Sequence, residues 1–244
     1  MNLILDQGNT ATKIILADRG HAVHTASYPH LPPDELAALI HRYRPDRAIL
    51  CSVATPDPAW FDHLHRLPHF LHLNDIHALR LPITLGYRTP TTLGRDRIAA
   101  VVGAHTLRPG HPLLVIDAGT AITYDLLLPP AHHLGGNISP GLTTRFRALH
   151  DYTRRLPLVH EHPHVPPIGT TTQEAILSGV VQGIVYEMNG YIDDIRSKHP
   201  DATVFLTGGH AFYFEGRLKC HTFATENLVW IGLNRILEYN ADDK

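Results

Sequence analysis

The chain has 244 residues, enough for one large domain or two smaller domains with a buried core. Its net charge is −2 and its Lys and Arg residues are dispersed, which argues against a nucleic-acid surface or a polybasic membrane anchor. Two cysteines are too few for a disulfide framework, no apolar run approaches the roughly 20 residues of a membrane span, and no leader precedes the first strand, so we expect a cytoplasmic protein.

The first part of the chain shows an α/β succession. Three apolar or alternating stretches between residues 3 and 28, separated by turn residues, predict short antiparallel strands. After them we predict a helix over 33–43, a strand over 47–53, a helix over 58–67 and a strand over 70–73. The order β-β-β-α-β-α-β is typical of a sheet covered by helices.

A loop over residues 81–93 leads into a charged helix start. Gly94-Arg95-Asp96-Arg97 precedes an apolar helical run that continues to Leu107. Asp96 either favours the positive end of the helix dipole or, together with Arg97, faces a ligand at that end. The local pattern leaves both interpretations open.

A second succession of elements begins at Pro112. The pattern predicts two strands over 113–128, a glycine-rich stretch over 134–142 that makes either tight turns or a close backbone approach, and a helix over 143–155. A proline- and histidine-rich loop follows. Thr171 and Glu174 indicate the start of a helix over 172–197, before a strand over 203–206 and a last helix over 226–239.

Two strand ends carry the same kind of turn. Asp6-Gln7-Gly8-Asn9-Thr10 follows the first strand, and Asp117-Ala118-Gly119-Thr120 follows the strand that begins at Leu113. Each places a carboxylate at the lip of a hairpin, where a cation or a phosphate can bind. The repetition predicts a duplicated scaffold with its boundary near Pro109-Gly110, whose halves face each other across a cleft.

Five segments, in order and spacing, resemble the type III pantothenate kinases of the actin, Hsp70 and sugar kinase superfamily. The segments begin at Asp6, Tyr87, Asp117, Leu134 and Thr172, and a further glycine turn, Thr207-Gly208-Gly209, fits the superfamily. The resemblance covers residues 3–237 and implies an α/β fold with two ribonuclease H-like (actin-like ATPase) domains, residues 1–110 and 111–244, that close over ATP. Walker and dinucleotide-binding motifs are absent from the sequence.

The resemblance implies ATP-dependent phosphorylation of pantothenate to 4'-phosphopantothenate, the first step of coenzyme A biosynthesis. Asp96 is the implied general base, Asp6 the ligand of Mg²⁺, and Asp117 the ligand of a monovalent cation, K⁺ or NH₄⁺. The implied ATP and phosphate contacts are Asp6, Gln7, Gly8, Asn9, Thr10, Ala11, Thr12, Lys13 and Thr120. The implied pantothenate contacts are Tyr87, Gly94, Arg95, Asp96, Arg97 and Thr172.

The resemblance also implies a homodimer, with apolar positions of the 172–197 helix at the interface and Thr172 reaching the neighbouring site. Three positions depart from the usual family pattern: Arg95 replaces Ala, Thr171 replaces Asn, and Thr89 stands where Asn is common. They affect the substrate pocket rather than the required acids and glycines. A sugar kinase of the same superfamily and a non-catalytic nucleotide-binding regulator are the alternatives. Pantothenate, ATP and a second copy of the chain are the expected partners, without nucleic acid or membrane.

Overall fold

The computed structural model describes residues 1–75, 79–225 and 227–241. Contacts divide these residues into two compact units. The first unit contains the described residues of 1–109 and 131–133 and those from 227 onward, and the second contains 110–130 and 134–225. The assignment of 1–110 and 111–244 to two ribonuclease H-like domains stays a prediction, and by contact the last helix groups with the first unit.

The first unit is built on a mixed sheet whose strand order is β3-β2-β1-β4-β5. Its elements are β1 Asn2–Gln7, β2 Thr12–Asp18, β3 His21–Tyr28, α1 Pro33–Tyr43, β4 Arg47–Ser52, α2 Pro58–Leu64 and β5 His69–His72. The first three strands are antiparallel, whereas β4 and β5 continue the sheet in parallel with β1. The predicted β-β-β-α-β-α-β order is therefore confirmed.

The alternation of side chains along β1 gives the sheet two different faces. Leu3 and Leu5 belong to a buried cluster with Leu36 of α1 and Trp60 of α2. The other face carries Asn2, whose side-chain amide donates to Asn234 Oδ1 at 2.8 Å in the last helix. Asp6 shares this second face with Asn2 because it lies four residues further along the strand.

Two helices cover this second face. They are α3 Arg95–Leu107 and the last helix, here α7, Leu228–Tyr239. Glu226, where α7 was predicted to begin, lies outside the described residues. The backbones approach so closely that a Cβ on Gly103 would overlap the carbonyl of Leu228, and one on Gly232 would overlap the carbonyl of Ala99. Glycine at these positions thus allows α7 to hold α3 in place.

The second unit repeats the same connectivity. Its elements are β7 Leu113–Ala118, β8 Ala121–Leu128, β9 His132–Pro140, α4 Leu142–Asp151, α5 Thr172–Lys198, β10 Thr203–Thr207, α6 Ala211–Glu215 and β11 Phe223–Ala224. β7 has the antiparallel strand β8 on one side and the parallel strand β10 on the other. Apart from the two-residue edge strand β6 at Thr84–Leu85, which lies next to β9, the strand order β9-β8-β7-β10-β11 matches that of the first sheet. The predicted duplication of an α/β scaffold is confirmed.

Several elements differ from their prediction. Residues 134–140, predicted as part of a glycine-rich stretch of turns or close approach, form most of β9, and Leu134 and Ile138 on it are 46% and 65% exposed. The more buried positions of this strand carry His133, Gly135 and Ser139 rather than apolar side chains, so the sequence lacks the apolar alternation that identifies strands. The helix predicted over 143–155 ends at Asp151. The short strand β6 Thr84–Leu85, which pairs with His132 and His133, and the elements α6 and β11 were not predicted.

Within the described ranges, the helices lack the combination of length and apolar character that crossing a membrane requires.

Candidate functional site

The first unit brings two of the predicted acids together at the end of its central strand. Asp6 lies opposite Lys13 in β2 and opposite Cys51 in β4. Side chains at paired positions of neighbouring strands project from the same face of a sheet. Asp96, in the first turn of α3 over that face, lies close enough for its charge to act on Asp6. Asp6, Lys13, Cys51 and Asp96 therefore form one cluster.

The electrostatics of this cluster are dominated by burial. Burial raises the pKa of Asp6 to about 6, with Lys13 acting to lower it and Asp96 acting to raise it. Burial also raises the pKa of the Cys51 thiol well above its usual value, and the nearby carboxylates of Asp6 and Asp96 act in the same direction. A cation placed beside Asp6 would offset both effects, because it favours the ionised carboxylate.

The predicted phosphate segment divides between the two faces of the sheet. Gln7 and Thr12 are paired across β1 and β2, on the face opposite Asp6. Gln7 Oε1 accepts a hydrogen bond from Ser52 Oγ at 2.6 Å, and both predicted residues line a cavity of about 380 Å³ next to Trp60. Only Asp6 and Lys13 of this segment project towards Asp96.

The turn between β1 and β2 contains the remaining predicted phosphate contacts. The N–H of Gly8 donates to the carbonyl of Ala11 at 3.0 Å, which closes the turn. Asn9 and Thr10 are exposed at its tip. Their side chains and backbone amides are open to a ligand at this end of the strand pair.

The start of α3 gathers four of the predicted pantothenate contacts. Gly94 is the N-cap, and a Cβ there would lie 2.6 Å from Asp96 Oδ1, so glycine makes room for the carboxylate. The backbone N–H of Arg97 donates to the same Oδ1 at 2.9 Å. The Arg97 guanidinium, on a side chain that is almost fully buried, lies 5.7 Å from the centre of the Tyr87 ring.

Arg95 is oriented differently from its neighbours. Its guanidinium donates to backbone carbonyls of the preceding segment, including Pro90 at 3.0 Å and Leu93 at 2.8 Å. Burial lowers the pKa of Arg95, and the nearby Cys51 acts against that shift. The predicted substrate contact through Arg95 stays a prediction, but its donors are engaged within the protein.

The second unit builds a compact cradle around the turn after Asp117. Gly119 N–H donates to the carbonyl of Ala121 at 3.0 Å, and Thr120 accepts from the N–H of Gly141 at 3.0 Å. Gly208, with φ +91°, packs so closely that a Cβ there would overlap Asp117 Oδ1. For the glycine-rich stretch over 134–142 we predicted either tight turns or a close backbone approach. At Gly141 it is the close approach, because its backbone packs on this turn.

Thr172 lies at the first position of α5. The preceding Thr171 accepts from Glu174 N–H at 3.2 Å, and the Glu174 side chain accepts from Thr171 N–H, which completes a capping box. Thr172 lines a largely apolar cavity of about 660 Å³ with Arg145 and Ile176. Asp117 and Thr172 belong to the second unit, and their placement with the acids of the first unit stays a prediction.

Sequence reasoning missed one polar network in the second unit. Glu187 of α5 forms an ion pair with Arg145 and accepts from the hydroxyl of Tyr124 at 2.8 Å. Despite its partial burial, these partners lower the pKa of Glu187, while burial and Glu187 raise that of Tyr124. The three residues are distant in sequence and share no motif, so no local signal could identify them.

Known proteins similar to this chain cover nearly its whole length. The family model for type III pantothenate kinase matches residues 2–194. Type III pantothenate kinases of Phocaeicola vulgatus and Porphyromonas gingivalis are 45% and 43% identical to it, each over 98% of this chain and 99% of the relative.

Solved structures share the fold at lower identity. A Campylobacter jejuni protein described as a Baf family transcriptional activator has a TM-score of 0.63 at 24% identity, covering 98% of this chain and 99% of that one. A Sinorhizobium meliloti protein described as a 2-dehydro-3-deoxygalactonokinase has a TM-score of 0.62 at 13% identity, with the same coverage. The chain thus shares its two-unit α/β fold with these two proteins.

Asp6 is expected to make stability depend on pH. Its pKa is about 6 in the folded protein, against 3.8 for an ordinary Asp side chain, so the folded state retains a proton between these pH values that the unfolded state loses. Stability should therefore fall as pH rises from about 4 to above 6. Relative to wild type, Asp6→Asn should gain up to about 3 kcal/mol at pH 8 and close to nothing at pH 4.

Urea denaturation of both proteins across this pH range measures the difference. Asp18→Asn, which removes an exposed carboxylate at the end of β2, is the control and should show no such trend. A difference between wild type and Asp6→Asn that does not change with pH would contradict the burial of an ionisable Asp6.

Proposed function

The chain belongs to the type III pantothenate kinase family, and we propose that it phosphorylates pantothenate with ATP, using Asp96 as the general base. The product is 4'-phosphopantothenate and the reaction is the first step of coenzyme A biosynthesis. Relatives that carry this name match over nearly the full length of the chain, whereas the sugar kinases share only its fold. The observation that supports the proposed chemistry is the pair of Asp6 and Asp96 at one strand end.

Asp96 is suited to accept a proton from the primary alcohol of pantothenate. Its Oδ1 is held by the N–H of Arg97, and the missing side chain of Gly94 gives the carboxylate room to adopt this position. As the alcohol oxygen attacks the γ-phosphorus, its proton passes to Asp96 and ADP leaves. Arg97, held under Tyr87, orients the substrate by pairing with its carboxylate.

The hairpin turns supply donors for the phosphates. Gly8, Asn9 and Thr10 present backbone amides and short polar side chains at the end of β1, and Lys13 adds a positive charge on the face of Asp6. In the second unit, the cradle around Gly119 leaves Thr120 at the tip of its turn, where it too can bind a phosphate oxygen. Phosphoryl transfer asks for this positioning more than for covalent participation of the protein.

Two cations fit the chemistry of the acids. The buried Asp6 with Asp96 beside it is a site where Mg²⁺ relieves the electrostatic cost of ionisation, and it supplies charge neutralisation for the phosphates. Asp117, whose carboxylate lies against the backbone of Gly208, is assigned to K⁺ or NH₄⁺.

We also propose a homodimer that uses the exposed face of α5. Gly179, Tyr186 and Gly190 lie along this face, and Tyr186 is 68% exposed. Among the described residues, no atom lies within 4 Å of a Cβ built on Gly179 or Gly190. Glycine inside a helix costs roughly 0.5–1 kcal/mol relative to Ala, and close approach by a second copy would account for it. Thr172 is at the start of the same helix, where it can reach the neighbouring site.

The enzyme is placed in the cytoplasm. Cys51 and Cys220 are free thiols, which fits a reducing compartment, and ATP is the co-substrate. Pantothenate, ATP and a second copy of the chain are the proposed partners.

Asp96→Asn removes the proposed base without changing its shape. We expect kcat to fall by a factor on the order of 10² or more, because general-base assistance is lost, while ATP binding is retained. A coupled ADP assay with pantothenate measures kcat, and calorimetry measures ATP binding. Asp62→Asn, an exposed carboxylate change in α2, should match wild type. Unchanged turnover in Asp96→Asn would remove Asp96 from the mechanism.

Asp117→Asn tests the monovalent cation. Wild-type turnover at saturating Mg²⁺ should rise when K⁺ or NH₄⁺ replaces Na⁺ or a bulky organic cation, since the smaller and larger ions fit the site less well. The variant should lose this response, because an amide oxygen carries no charge to hold the ion. Initial rates against KCl concentration measure the effect. A variant that keeps the full response to K⁺ would place the cation elsewhere.

Gly179→Glu tests the dimer. A charged side chain on the exposed face of α5 should separate the copies, so that light scattering gives twice 27.2 kDa for wild type and 27.2 kDa for the variant. Ala38→Glu, on the exposed face of α1, should remain dimeric. Circular dichroism checks that both variants fold. Wild type that is monomeric at micromolar concentration would rule out the dimer.

A further inference from the structure

The Arg95 side chain, at the start of the helix that carries the proposed base, donates hydrogen bonds to backbone carbonyls of the preceding segments. Its Nη1 donates to the carbonyls of Pro90 at 3.0 Å and Leu93 at 2.8 Å. Its Nη2 donates to those of Thr91 at 3.1 Å and Asn74 at 3.4 Å. A single guanidinium thus binds four backbone carbonyls, which its rigid planar arrangement of donors allows and a lysine ammonium would not reproduce.

Three of the four carbonyls that Arg95 binds belong to the segment that joins Tyr87 to Asp96. Pro90–Thr92 form a single 3-10 turn, and Leu93 follows it directly. The other side of the turn is closed by Thr92, whose backbone N–H and hydroxyl both donate to the carbonyl of Thr89, at 3.0 and 2.9 Å. Arg95 is therefore the side chain that ties this turn to α3 and, through Asn74, to the end of β5.

The position of this turn determines where Tyr87 and Arg97 meet. Tyr87 lies three residues before the turn, and its ring lies 5.7 Å from the Arg97 guanidinium. Arg97 is on α3, whereas Tyr87 is on the loop, so their contact depends on how the loop is held against the helix. A turn of this length without an anchor has many conformations, and ordering each residue costs about 1–2 kcal/mol.

We propose that Arg95 is a positioning residue that holds the 90–93 turn against the start of α3 and thereby orders Tyr87 and Arg97 for pantothenate, without touching the substrate itself. This rests on the proposed function. It differs from direct recognition, in which the Arg95 guanidinium would bind the pantothenate carboxylate, because the two nitrogens that would make that bidentate contact are bonded to the protein backbone.

The substitutions Arg95→Ala and Arg95→Lys separate these roles. Both should raise the KM for pantothenate by about tenfold while leaving the KM for ATP and kcat within about twofold, since misplaced contacts weaken substrate binding. Arg66→Ala, an exposed change after α2, is the matched control and should equal wild type. Added guanidinium ion should partly lower the KM of Arg95→Ala and have no such effect on Arg95→Lys, whose ammonium occupies the space.

Panthenol distinguishes positioning from direct contact, because it has the same primary alcohol but no carboxylate. Its inhibition constant against pantothenate should rise by the same factor as the KM in Arg95→Ala. In Arg97→Ala, by contrast, pantothenate should lose more affinity than panthenol, since Arg97 is assigned to the carboxylate. If Arg95→Ala raised the KM for pantothenate without raising the inhibition constant of panthenol, direct recognition would be established and the positioning role overturned.

Hydrogen exchange without substrate tests the anchor independently of catalysis. The amides of residues 87–93 should exchange faster in both Arg95 variants than in wild type, with the amides of β2 unchanged. Faster exchange only in step with global unfolding, or a lowered melting temperature with unchanged KM, would reduce Arg95 to a structural role and overturn the proposal. Wild type that does not phosphorylate pantothenate would instead refute the proposed function and leave the exchange result to stand by itself.

Discussion

The fold places a carboxylate where its ionisation is unfavourable. Asp6 lies at the end of a strand whose preceding residues, Leu3 to Leu5, are fully buried, and burial is the main reason that its pKa rises to about 6. Asp96 adds a second negative charge nearby, and Lys13 offsets it only in part. The site therefore has a deficit of positive charge that a cation and a positively polarised turn can fill. A ligand that brings positive charge to this strand end would favour the folded state.

The same strand order in the second sheet gives Asp117 a position equivalent to that of Asp6. Each acid lies at the end of the strand with an antiparallel partner on one side and a parallel partner on the other. The surroundings have diverged, however. Asp6 is packed by side chains, whereas the turn after Asp117 is packed by backbone, with Gly141 against Thr120 and Gly208 against Asp117. Backbone packing leaves carbonyl and amide groups in reach, which suits a weakly held monovalent ion better than it suits Mg²⁺.

The sequence predicted the elements that have a periodic pattern and the turns that have a glycine. The three strands before residue 28, the helix start near Thr171 and the Asp-Gly turns were recognisable because each depends on neighbouring residues. The strand β9 was not, because its more buried positions carry His133, Gly135 and Ser139 while its apolar residues Leu134 and Ile138 are exposed. The proximity of Cys51 to Asp6 depends on the register of two parallel strands far apart in the chain, which no local pattern encodes.

The sequence could in principle have predicted that side chains of the phosphate segment lie on opposite faces of the sheet. Strand residues alternate, so Asp6 and Gln7 cannot both face Asp96. The direction of Arg95 was not accessible, because it depends on carbonyl groups that every residue possesses and that only the folded turn brings together. Residue identity indicated a charged contact at this helix start, but not whether the partner was the substrate or the backbone.

The end of the chain determines the position of the proposed base. Asp96 is fixed to α3, and α3 is held by α7 through glycines that bring the two backbones into contact at Gly103 and Gly232. Helix α7 is in turn tied to β1 by the bond from Asn2 to Asn234. Asp6 and Asp96 thus interact through their charges, and their positions are also linked by the packing of β1, α7 and α3. A loss of packing at Gly232 would therefore move Asp96 relative to Asp6. The α3–α7 pair is in this way part of the geometry of the proposed site. The same packing explains why α7 groups with the first unit.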